Sequence, residues 1–100
     1  MNLQQMMIQA QRVKRELDKA INELHSQEFT VTKNGAVTIK MLGDKTVTSI
    51  EIDEDAFDKD NREMVQELIV LGINELSKQI ADKEGEINER ITGQKGGLPF

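Results

Sequence analysis

The stretch Ala36–Phe57, AVTIKMLGDKTVTSIEIDEDAF, restricts the possible folds of this chain more than any other. Val37, Ile39 and Met41 alternate with Thr38, Lys40 and Leu42. After Gly43-Asp44-Lys45, Ile50 and Ile52 alternate with Val47, Ser49 and Glu51. A period of two marks a strand with one buried face. Just upstream, Phe29 and Val31 share one face of Glu28–Thr32, and Lys33-Asn34-Gly35 follows. Asn-Gly between alternating runs predicts a hairpin turn, because both central residues of a type I′ turn need positive φ. The expectation is a three-stranded antiparallel meander with one apolar face. A sheet this small cannot bury that face alone. Flanking helices, or a second copy of the chain, must cover it.

Both flanks carry helical patterns. Asn2 precedes the first, with Gln5 three places on, as in a capping box. Leu3, Met6, Ala10, Val13, Leu17, Ala20 and Leu24 then recur at steps of three and four, a heptad seam widened by Met7 and Ile21. A helix over 2–25 is roughly 36 Å long, more than one small sheet can cover, so part of the seam is expected to meet another helix. His25, Ser26 and Gln27 end it, with His25 in the favourable C-terminal dipole position. After the strands, Phe57 is expected to tuck under the sheet. Asp58 or Asp60 is expected to cap the next helix, with Asp60 and Glu63 forming a capping box. Met64, Val65, Leu68, Ile69, Leu71, Ile73 and Leu76 are dense in its first half, which is expected to be the most buried helix of the molecule. Beyond Leu76 the apolar face thins to Ile80, Ile87 and Ile91, and the helix is expected to continue toward Thr92 as an exposed arm. Gly85 is a possible break, giving either one helix or a helix pair. Residues 1–92 thus form one α+β domain, and 93–100 a flexible tail.

The inventory narrows the chemistry. The absence of Cys leaves no disulfide, no thiolate metal site and no cysteine nucleophile. The acids Asp53, Glu54, Asp55, Asp58 and Asp60 fail the calcium-loop pattern, since the sixth position from Asp53 is Asp58 and the twelfth is Met64. The glycines near the C-terminus match no phosphate-binding fingerprint. The chain is expected to be no enzyme, with no metal or cofactor. No window approaches the roughly 18 apolar residues of a membrane span, and a cytoplasmic location is expected. Aromatics are only 3% of the 100 residues, so the core must be aliphatic and thin, and such chains often gain stability by self-association. The net charge of −5 and pI near 4.9 weigh against nucleic acid. The charge is uneven, however: eight carboxylates crowd residues 51–67, whereas residues 1–20 hold Arg12, Lys14, Arg15 and Lys19 against Glu16 and Asp18.

Several segments, taken in order, resemble a known family. These are LQQMMIQAQRVKRELDKAINEL, the run VTIKMLGDKTVTSIEIDEDAF, the helix EMVQELIVLGINELSKQI and a Gly-rich end finishing in Leu-Pro-Phe. Across essentially the whole chain they resemble the YbaB/EbfC family of bacterial nucleoid-associated proteins. The resemblance implies a tweezer-like homodimer, an antiparallel sheet flanked by helical arms, that binds double-stranded DNA in the nucleoid with little sequence preference. Contact sites follow from charge. Arg12, Arg15 and Lys19 fall at steps of three and four on the face of the first helix away from the seam, with Lys14 to the side. Lys78, Lys83 and Arg90 lie on the second arm. The alternative is a dimeric adaptor that grips a protein partner with its arms.

Overall fold

The computed structural model describes residues 2–93. Helix α1 (Leu3–Ser26) leads into strands β1 (Glu28–Lys33), β2 (Val37–Leu42) and β3 (Val47–Ile52). Two short 3-10 turns, Glu54–Ala56 and Lys59–Asn61, then deliver the chain to α2 (Arg62–Thr92). The α+β order and the antiparallel β1-β2-β3 sheet agree with the expectation. Of the tail expected at 93–100, all but Gly93 lies outside the described residues.

Local chemistry explains most boundaries. The Asn2 carboxamide oxygen accepts from the Gln5 N–H at 2.8 Å, and the Gln5 side chain accepts from the Asn2 N–H at 3.4 Å, closing the capping box. Asn34 and Gly35 have φ of 53° and 64°, and the Ala36 N–H donates to the Lys33 carbonyl at 2.9 Å. That is the conformation Asn-Gly predicts. In the second turn the positive φ, 71°, belongs to Lys45 instead of Gly43. The Asp44 carboxylate braces this turn by accepting from the Thr46 N–H at 2.9 Å. Hydrogen bonding from the Thr46 side chain and then its backbone lowers the Asp44 pKa from its ordinary value.

One face of the sheet forms the core. Val37, Ile39 and Met41 alternate inward along β2 and are almost fully buried, with Leu76 and Ile80 of α2. Burial of one such side chain contributes about 1.5–3 kcal/mol. The first half of α2 packs over β1 and β2 and only weakly over β3. Its second half lies beside α1, where Ala20 and Leu24 share a groove with Ile87. Because α1 ends at the sheet and α2 starts there, the two run in opposite directions and form a long arm. The molecule measures 68 × 20 × 14 Å.

Three expectations are corrected. Phe57 does not tuck under: it is 78% exposed, because Ala56 takes the buried position in the preceding turn. The acids do not cap α2 directly. Asp53 and Asp58 cap the two 3-10 turns, accepting from the N–H of Asp55 and Asp60, and Asn61 at the α2 N-cap makes no side-chain bond. A bulge in the β2-β3 ladder sets Val47 opposite Met41, so Val47 shares the face of Ile50 and Ile52 instead of opposing it. The first half of α2 is the most buried helical stretch, as expected: Val65, Leu68, Gly72 and Leu76 are buried where α1 buries only Leu24, while Met64, Val70 and Leu71 are exposed because a three-stranded sheet covers one stripe.

The possible break at Gly85 is absent. α2 is one helix ending at Gly93, whose left-handed φ of 73° lets its N–H reach the Glu89 carbonyl at 2.8 Å. Its two internal glycines should respond oppositely to alanine. A Cβ on Gly85 would meet nothing within 4 Å, whereas one on Gly72 would lie 2.6 Å from Cδ1 of the fully buried Ile39. Gly85→Ala is expected to raise stability by about 0.4–1 kcal/mol. Gly72→Ala is expected to lower it by about 1 kcal/mol, overpacking exceeding the propensity gain. Urea melts of both variants check the pair, and equal signs would refute the packing assigned to Gly72.

Candidate nucleic-acid interface

The α1 seam fixes where the basic side chains point. Leu24 is buried, and Ala20, Leu17, Val13 and Ala10 are half-buried, so this stripe faces inward. At 100° per residue Arg12, Arg15 and Lys19 then lie on the opposite, solvent side, and all three are exposed. Neighbours at steps of three and four stand about 5–6 Å apart, giving a cationic row about 10 Å long. Lys14 is exposed too, but its angular position puts it beside the seam.

Ion pairing divides the seven sequence-predicted residues. Lys78 contacts Asp82 at 3.0 Å, and Lys83 contacts Glu86 at 3.8 Å. Exposed pairs like these are worth little to stability, but each cation carries its neutralising acid alongside. Arg90 and Lys83 line the α1/α2 groove with Glu23 and Glu86, a site of mixed charge. Among the described residues Arg12, Lys14, Arg15 and Lys19 have no carboxylate within ion-pair distance. Sequence reasoning missed a different pair, Lys33 of β1 with Glu75 of α2 at 2.8 Å. It ties the helix to the sheet across a separation of 42 residues, and no local signal marks it.

The acidic corner is remote from the row. It sits where α2 begins, whereas α1 lies beside α2 residues 83–90, about 40 Å farther along the helix axis. With a Debye length of about 8 Å at physiological salt, the corner hardly reduces attraction at the arm. The −5 net charge is therefore a poor guide to the potential at α1. Among the described residues no polar or charged side chain is buried, and no His, Asp or Glu are grouped as metal ligands. No described helix is long and apolar enough to cross a membrane.

Comparison with known proteins fits this geometry. The model of the YbaB/EbfC DNA-binding family matches residues 1–95. The chain belongs to that family. Its relatives include a nucleoid-associated protein of Mycoplasmopsis pulmonis, 32% identical over 100% of this chain and 97% of the relative. Another, from Chloroflexus aurantiacus, is 35% identical over 98% of this chain and 99% of its own length. A third, from Clostridium novyi, is 35% identical over 93% of this chain and 82% of the relative. The resemblance carried by the ordered segments of the sequence therefore holds, and the α+β order of helix, three-stranded antiparallel sheet and helix expected with it is the one observed.

Proposed function

We propose that this protein is a nucleoid-associated DNA-binding protein of the bacterial cytoplasm, acting as a homodimer whose α1 faces contact duplex phosphates with little sequence preference. The observation that carries the reading is the row Arg12, Arg15 and Lys19: exposed, unpaired among the described residues, and held outward by the packing of α1 on α2. Two-fold symmetry presents the row twice, one on each arm, so that one duplex can meet both. Coating of this kind would affect nucleoid organisation and gene expression. Anisotropy titration of a labelled duplex tests it. Affinity should fall steeply with salt, as counterions released by the phosphates are recaptured. Absent binding, or binding indifferent to salt, would refute it.

The dimer has its own support. Val47 and Ile50 lie on the apolar face of the sheet where α2 does not cover it, with Ile50 43% exposed. Next to them, Phe57 flanks an apolar groove of about 440 Å³ lined by Ile52, Ala56, Val65 and Ile69. A second copy covering this surface would remove all of it from water. Ile50→Glu should then yield a folded monomer by light scattering and weaken duplex binding at least tenfold, because the two rows no longer act together. An Ile50→Glu protein that remains dimeric would place the interface elsewhere.

One observation favours the adaptor reading: Val70 and Leu71 are exposed on α2 beside Glu63, Gln66 and Glu67. A single stoichiometric protein partner recovered after nuclease treatment, without duplex affinity, would favour it over DNA binding.

A further inference from the structure

The first two turns of α1 are not used by the row of cations, and they differ from the rest of the molecule. Every residue from Asn2 to Gln9 is exposed, whichever side of the helix it occupies. Leu3 is 72% exposed, and Met6, Met7 and Ile8 are at least half exposed. No charged residue occurs from Asn2 to Gln11, although 31% of the chain is charged, and no acid occurs before Glu16. The first turns of α1 are therefore exposed, neutral, apolar and glutamine-rich, and they lead directly into Arg12, Lys14 and Arg15.

Width and charge select the partner. A lone helix with its side chains is about 10–12 Å across, and the major groove of B-form DNA is about 12 Å wide. Farther along, α1 lies against α2, and the pair is too broad to enter. Side-by-side association of two such tips would bring together Arg12, Lys14 and Arg15 of both copies, with no acid in the first fifteen residues to offset them. An anionic partner removes that repulsion.

We propose that this tip enters the major groove of duplex DNA and that Gln4, Ile8 and Gln11 contact base edges there, giving the interface a loose preference for A·T pairs. The inference rests on the phosphate-contact reading above. Gln4, Ile8, Gln11 and Arg15 fall at steps of four, three and four, one row that runs into the cationic face. A glutamine amide can donate to and accept from one adenine edge, and an aliphatic side chain can pack on the thymine methyl. Gln5 is not free for this, because its side chain closes the capping box with Asn2. From Gln4 to Gln11 is about 10.5 Å, or about three base-pair steps. The preference is loose because few side chains carry it.

The test is an anisotropy panel of equal-length duplexes whose centres are A·T-rich, G·C-rich, or A·T-rich with 7-deazaadenine, which lacks the N7 acceptor. The native chain should show a spread on the order of tenfold between the first two, and the deaza duplex should bind like the G·C-rich one. Gln4→Ala/Gln11→Ala should reduce the spread to about twofold, leaving the salt slope and the weakest affinity unchanged. Alanine favours helix, so circular dichroism should be preserved. Ile8→Ala should act in the same direction. A native chain without any spread, or a spread untouched by the substitutions, would overturn the inference while a steep salt slope left the phosphate reading standing. Substitutions that altered sedimentation instead would identify the tip as a protein contact and overturn it too. Absence of duplex binding would overturn both readings.

Discussion

Gly43→Ala should cost more than about 3 kcal/mol and loosen the joint between α1 and the sheet. The added Cβ would overlap the Leu24 carbonyl oxygen, lie 2.6 Å from the Leu24 carbonyl carbon and 3.2 Å from the His25 nitrogen. All three are backbone atoms of the last turn of α1, so no rotamer change relieves the overlap. The Gly43 N–H also donates to the Gln27 carbonyl at 2.9 Å, fixing the two segments from the other side. Relief requires moving the end of α1, which carries Leu24, only 3% exposed, out of the core. Overpacking against side chains typically costs about 1–3 kcal/mol, and a backbone obstacle should exceed that range. Urea denaturation measures it, with Gly85→Ala as the control on an open glycine. A loss below about 1 kcal/mol would mean that α1 does not seat against the β2-β3 turn as described.

This glycine also separates what the sequence made legible from what it did not. Gly43 reads as a turn residue, yet its place is dictated by the approach of a helix end, and Lys45 adopts the left-handed conformation. Features encoded within a few residues were legible: the period of two in β1 and β2, the Asn34-Gly35 turn, the Asn2/Gln5 capping box. Features decided by tertiary neighbours were not. The bulge that turns Val47 to the apolar face has no signature in VTSIEI, and only the pairing with β2 reveals it. Phe57 is expected inward because aromatic residues normally anchor cores, but Ala56 occupies that position. The cationic face of α1 was legible from helical period alone. The unequal standing of the α2 cations could have been read as well, since Lys78–Asp82 and Lys83–Glu86 are ordinary pairs at i,i+4 and i,i+3.

The second large effect concerns that face. Arg12→Ala/Arg15→Ala/Lys19→Ala should lower duplex affinity on the order of a hundredfold near 0.1 M salt. The protein should remain folded, because the three side chains are exposed, make no ion pair among the described residues, and are replaced by the strongest helix former. Lys78→Ala/Lys83→Ala should have a much smaller effect, each lysine being already engaged by an acid. The reverse ranking would move the interface to α2.

The most direct measurement is the slope of log K against log salt for one duplex, taken on the native chain and on the triple α1 variant. Each phosphate neutralised contributes about −0.9 to that slope, so three side chains on each of two copies account for about −5. The native slope should be at least that steep, and the variant should lose most of it while light scattering still reports a dimer. Equal slopes for the two proteins would contradict phosphate contact by the outward face of α1.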